Sequence, residues 1–156
     1  MPSVGRLWQG TRRIFDALRG ANSVVLAVAI LLCPLVGHAD STCNDVQSGA
    51  VSGTLTDSGG SSGRYSNNEN CQFLIQPASA DDITLSFSSF SYESNFDFLR
   101  VYDGTSTSSP LLGSFTGNSI PADLTASSGA MLVVSSSDSS IIRAGFTASW
   151  TSTTTE

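Results

Sequence analysis

The sequence predicts an all-β sandwich, and three observations carry that reading. Apolar residues alternate with polar ones over several short runs, which is the period of a half-buried strand. No long apolar face recurs at helical spacing. Turn-forming residues separate the runs, as they do between the short strands of packed sheets.

In chain order, the first 39 residues stand apart. Arg6, Arg12, Arg13 and Arg19 precede an apolar run at 24–36, which ends near the small-residue pattern Gly37-His38-Ala39. A basic region, an apolar stretch and a small-x-small site form the pattern of a secretory signal peptide cleaved after Ala39. The rival, an uncleaved membrane anchor, needs about 20 apolar residues, and this run contains Pro34. Thr11-Arg12-Arg13-Ile14-Phe15 loosely resembles a twin-arginine export signal, although Asp16 fits it badly, so the export route stays open. The expected organisation is a signal peptide at 1–39, a β-sandwich domain at 40–150 and a polar, Thr-rich tail at 151–156. That tail reads as a frayed end or the start of a linker.

Within the domain, Ile83, Leu85 and Phe87 share one face of a strand, with Thr84 and Ser86 on the other. Leu99 and Val101 alternate with Phe98, Arg100 and Tyr102, and Asp103-Gly104 then signals a tight turn. Residues 131–134 are a fully apolar stretch of strand length. Phe146, Ala148 and Trp150 alternate with Thr147 and Ser149. Phe73, Phe87 and Phe146 are expected in the core. Phe98 and Tyr102 are expected to cover the second sheet, a partner-facing stripe being the alternative. Ser and Thr supply 40 of the 117 residues after Ala39, which suits solvated sheet faces.

Composition excludes several functions. The chain has 7 basic residues, all arginine, against 13 acidic ones. After Ala39 only 3 basic residues face 12 acidic ones, a formal charge of −9 that suits no nucleic-acid partner. His38 and Cys33 leave with the signal peptide, so Cys43 and Cys71 remain as a pair in an exported chain. A disulfide is the default reading, and closing that loop contributes roughly 3–4 kcal/mol in the chain-entropy model. A two-cysteine metal site is the rival, with no histidine left to complete a zinc shell. Without histidine, lysine or free thiol, the abundant serines have no base to activate them, and the domain is not expected to be an enzyme.

Three acidic side chains could nevertheless meet. Glu93 and Asp97 lie in the segment leading into the 99–101 strand, and Asp138 follows the 131–134 strand inside a run of serines. An all-oxygen set suits calcium better than zinc or copper, while solvated surface acids are the plain alternative. A carboxylate pair performing glycoside hydrolysis is a third reading, to be judged by the separation of the acids.

At this point a family resemblance enters. Cys43, Gly53-Thr54-Leu55-Thr56 and Tyr65-Ser66-Asn67-Asn68-Glu69-Asn70-Cys71-Gln72-Phe73-Leu74-Ile75 resemble the opening of a CUB domain. The likeness continues through Phe90-Ser91-Tyr92-Glu93, Phe96-Asp97-Phe98-Leu99-Arg100-Val101-Tyr102-Asp103-Gly104 and Leu111-Leu112-Gly113. It ends with Ser137-Asp138-Ser139-Ser140 and Gly145-Phe146-Thr147-Ala148-Ser149-Trp150. No single piece is specific; the ordered series is.

The resemblance implies a jelly-roll-like sandwich of two antiparallel sheets in a secreted protein that acts as a binding module. It implies calcium as the cofactor, with Glu93, Asp97 and Asp138 as ligands and Tyr65 orienting the glutamate. It also implies that Glu93, Asp138 and Ser140 engage a lysine or arginine of an extracellular protein partner, carbohydrate being the alternative ligand. A metal-free adhesive spacer within a larger secreted protein is the other reading. The sequence departs from the family in three places. Ser94 and Thr116 stand where a second disulfide would be, the Glu93–Asp97 segment is short, and Ile141 replaces an asparagine that often assists the metal.

Overall fold

The computed structural model describes residues 43–155, so the expected signal peptide at 1–39 lies outside the described residues. They form nine strands: β1 (Asp45–Gln47), β2 (Ser52–Thr56), β3 (Asn70–Ile75), β4 (Asp82–Ser91), β5 (Phe98–Asp103), β6 (Leu111–Phe115), β7 (Leu124–Ala126), β8 (Met131–Ser136) and β9 (Gly145–Thr153). A five-stranded sheet has the order β1-β3-β8-β5-β6 and a four-stranded sheet the order β2-β9-β4-β7. The pairings are antiparallel except that β1 runs parallel to β3.

Alternation along the strands decides which side chains enter the core. Ile83 and Leu85 of β4, Leu99 and Val101 of β5, and Phe146, Ala148 and Trp150 of β9 are buried together with Phe73 of β3, while Phe87 packs at the margin. Since Leu99 and Val101 point inward, Phe98 and Tyr102 lie on the outer face of the five-stranded sheet and do not cover the second sheet, contrary to expectation. The 131–134 stretch of β8 is apolar on both faces because β8 is a central strand. Leu132 lies between Leu74 and Tyr102, and Val134 between Gln72 and Arg100, which bury its outer face too.

Two boundaries differ from the sequence reading. β9 continues to Thr153, so the first residues of the expected tail are paired strand: Thr151 faces both Ser52 and Thr84. Threonine is β-branched and fits a pleated surface well. Asp103-Gly104 does not make a two-residue hairpin turn; Gly104 (φ 138°) opens a loop that ends where β6 begins at Leu111.

The Cys43–Cys71 disulfide joins the segment before β1 to β3. Asp57, fully buried after β2, accepts hydrogen bonds from Gly59 N (2.8 Å) and Phe146 N (2.9 Å), fastening the β2–β3 loop to the start of β9. Burial raises its pKa, against the opposing effect of those backbone donors. Gly145 must be glycine there: its φ is 72°, and a Cβ would lie 1.9 Å from the Asp57 carboxylate. The β2–β3, β4–β5 and β8–β9 loops are hydrogen-bonded to one another, and the site lies among them.

Candidate metal centre

The β4–β5 loop brings Glu93 and Asp97 together by a single turn. Asp97 N donates to Glu93 O (3.1 Å), and Asn95 takes the left-handed conformation (φ 69°) that asparagine tolerates better than most residues. Thr116 clamps the turn from outside β6: its hydroxyl donates to Glu93 O (2.9 Å) and accepts from Asn95 N (2.9 Å). Tyr92 N adds a bond to Gly117 O (2.7 Å). Hydrogen bonds therefore hold this loop to Thr116 and Gly117, the residues that follow β6.

Asp138 arrives from the end of β8. Its Oδ1 accepts from Ser140 N (2.8 Å) and Ser140 Oγ (3.4 Å), an Asx-type turn that aims the carboxylate. Its own N–H donates to Asp97 Oδ1 (2.9 Å), which joins the two loops at the site itself.

One ligand oxygen from each of Glu93, Asp97 and Asp138 lies within 4.8 Å of the others. Points so spaced fit within about 2.8 Å of a common centre, close to the roughly 2.3–2.6 Å of calcium–oxygen bonds. Asp97 is fully buried, with Tyr65 OH donating to its Oδ2 (2.5 Å). The same hydroxyl accepts from Glu93 N (3.1 Å). Tyr65 thus orients the carboxylate of Asp97 and the backbone of Glu93, not the Glu93 carboxylate, because its one proton goes to Asp97. Burial and then the Asp97 hydrogen bond raise the pKa of Tyr65, so it stays a donor.

Glu93 carries the uncompensated charge. Its Oε2 is shielded from water and has no hydrogen-bond partner. Burial, then the charges of Asp138 and Asp97, raise its pKa, and the Arg143 charge only partly offsets them. Hard oxygen donors, one of them unpartnered, and crowded negative charge fit a divalent cation of the calcium type.

Sequence reasoning named the three acids, Tyr65 and Ser140. It missed the clamp by Thr116, the inter-loop bond from Asp138 N, and the burial of Glu69, which lies in a run that reads as a polar loop. The left-handed asparagines Asn68 and Asn95 were a usable signal, since asparagine is the residue that bends such loops.

A family profile described as CUB domain matches residues 43–150. The chain belongs to the CUB domain family. Among curated relatives, human multiple epidermal growth factor-like domains protein 8 is 37% identical over 133 residues, covering 83% of this chain. Pig cubilin is 37% identical over 98 residues, 58% of this chain. The chain spans only 5% and 3% of those two proteins. The Ca2+-bound CUB2 domain of MASP-1 superimposes with a TM-score of 0.61 at 20% identity, covering 70% of this chain and 99% of that one. The full extracellular region of zebrafish Gpr126/Adgrg6 gives 0.63 at 24% identity, covering 73% of this chain and 15% of that one. These solved structures support the CUB jelly-roll fold.

Proposed function

We propose that this CUB domain is an extracellular, calcium-dependent binding module that engages a basic side chain of a protein partner. The observation that carries the reading is the convergence of the Glu93, Asp97 and Asp138 oxygens with Glu93 Oε2 unpartnered. Glu93, Asp97 and Asp138 hold the ion, Tyr65 fixes Asp97, and Ser140 aims Asp138. Calcium supplies the positive charge that lets the carboxylates sit together. Three carboxylates around one divalent ion keep a net negative charge, so Glu93, Asp138 and the exposed Ser140 hydroxyl remain attractive to a lysine or arginine. The acidic surface draws such a partner in, more strongly at low salt.

Export is supported by the signal-like N-terminus, by the disulfide and by the extracellular setting of the Gpr126 neighbour. Binding fits the family better than catalysis: the acids have no histidine, lysine or free thiol of the domain beside them to form a nucleophile–base pair.

The test is a calcium titration by calorimetry on the domain and on Asp138→Ala. It is followed by binding of a lysine-bearing peptide and its norleucine counterpart, with calcium and with a chelator. Calcium-dependent binding of the lysine peptide alone is the expected result. Equal binding of both peptides, or no metal uptake, overturns the reading.

A further inference from the structure

Glu69 is 9% exposed, sits in the β2–β3 loop, and contributes no oxygen to the acidic cluster. Its carboxylate is nonetheless the centre of a network. Oε2 accepts from Ser66 N (3.0 Å) and from the Ser58 hydroxyl, and Oε1 accepts from the Ser135 hydroxyl (3.4 Å). We propose that Glu69 is a positioning residue for the metal site, setting the places of Tyr65 and Asp138 without touching the ion. The proposal rests on the calcium reading above.

Two routes lead from Glu69 to the site. The first runs through the backbone. The carboxylate closes the 65–69 turn on Ser66 N, directly after Tyr65. The same turn is stapled to the β8–β9 loop: Glu69 N donates to Ser137 Oγ (2.9 Å), Ser137 N to Glu69 O (3.0 Å), and Ser137 Oγ to Ser66 O (2.6 Å). Asn68 N then donates to Asp138 O (2.6 Å), so the turn holds the backbone of a ligand residue. The second route runs through side chains. Ser135 Oγ, bonded to Glu69, is 2.8 Å from Tyr92 OH, and the Tyr92 ring stacks on Tyr65 at 4.8 Å between centroids. Tyr65 OH ends this route on Asp97.

A buried carboxylate with several donors is a firm anchor, because every donor it satisfies would otherwise be left buried without a partner. Removing it leaves Ser66 N and Ser58 without their acceptor and frees the turn to shift. The ligands would then be present but loosely held, and outer-shell losses of this kind weaken metal binding.

The experiment compares Glu69→Ala and Glu69→Gln by calcium calorimetry well below the melting temperature. Glu69→Ala is expected to weaken binding roughly 10- to 100-fold. Glu69→Gln keeps an acceptor oxygen for Ser66 N and is expected to restore most of the affinity, which a simple loss of stability would not distinguish. The second readout needs no metal. With 13C at tyrosine Cζ, the Tyr65 resonance reports its hydrogen bond to Asp97; it moves in Glu69→Ala and stays in Glu69→Gln. Should Glu69→Ala not fold, Ser135→Ala cuts the side-chain route alone, and a moved Tyr65 resonance supports the proposal. A folded Glu69→Ala, or failing that Ser135→Ala, with unmoved resonance and unmoved affinity overturns it. If the unaltered domain takes up no calcium, the calcium reading falls and the Tyr65 resonance alone decides the role of Glu69.

Discussion

Replacing Tyr65 by phenylalanine removes one oxygen from the centre of the site and little else. The ring keeps its stack on Tyr92, at 4.8 Å and an interplanar angle of 15°. The hydroxyl makes two bonds: it donates to Asp97 Oδ2 at 2.5 Å and accepts from Glu93 N at 3.1 Å. The first is charge-assisted and worth about 1.5–3 kcal/mol; the second is neutral and worth about 0.5–1.5 kcal/mol. Asp97 is fully buried, so water does not readily replace the lost donor. The sum, about 2–4.5 kcal/mol, is a large part of the roughly 5–15 kcal/mol that holds a domain folded. It should be measured by urea unfolding with a chelator present, so that metal contributes nothing. The midpoint should fall with the slope unchanged, since the same surface is exposed on unfolding. A loss under about 0.5 kcal/mol, the range of a neutral surface change, would refute the claim that this hydroxyl joins the loops.

Three further outcomes follow from the same geometry. Gly53→Ala puts a Cβ 2.7 Å from Trp150 Nε1, and this overpacking should cost about 1–3 kcal/mol in thermal or urea unfolding; unchanged stability would mean that Trp150 has room to move. Because the folded state raises the Glu93 pKa above its ordinary 4.5, ionising Glu93 opposes folding of the metal-free domain: its favourable contribution is complete below pH 4.5 and is lost as pH rises through the folded value. Glu93→Gln should therefore melt higher than the parent in chelator at neutral pH, converge with it below pH 4.5, and lose calcium uptake; a lower melting temperature in neutral chelator would contradict this. Calcium at 100 times its dissociation constant should stabilise the parent by about 2.7 kcal/mol and leave Asp138→Ala unmoved; equal shifts in both would place the ion elsewhere.

Much of the fold was legible because it rests on alternation. The inward faces of β4 and β9 follow from residues two apart, and tertiary packing did not override them. Phe98 and Tyr102 were misassigned because period two separates the faces of a strand without saying which face meets the other sheet. The end of β9 was hidden because its Ser-Thr composition suits a linker as well as a strand. The ligand acids were legible as residue types, and their register came from the family resemblance. What joins them was not legible: Thr116 acts from across β6, Asp138 through a backbone N–H, and Glu69 from a run with no apolar signal.

These hydrogen bonds carry the tie between the Glu93–Asp97 turn and Thr116. Thr116 makes two bonds of 2.9 Å to that turn, together worth about 1–3 kcal/mol against roughly 3 kcal/mol for a disulfide bridge in the same place. A bridge acts in any solvent and at any state of the site. Hydrogen bonds hold only while the groups they orient stay in place, and here those groups include acids that repel one another around Glu93. A cation between them would turn that repulsion into attraction and reinforce the bonds that hold the turn. Building a bridge with Ser94→Cys and Thr116→Cys should therefore raise stability in chelator and shrink the further gain from calcium. If the gain from calcium were undiminished in the bridged domain, the ion and the loop would be independent, and the coupling argued here would be wrong.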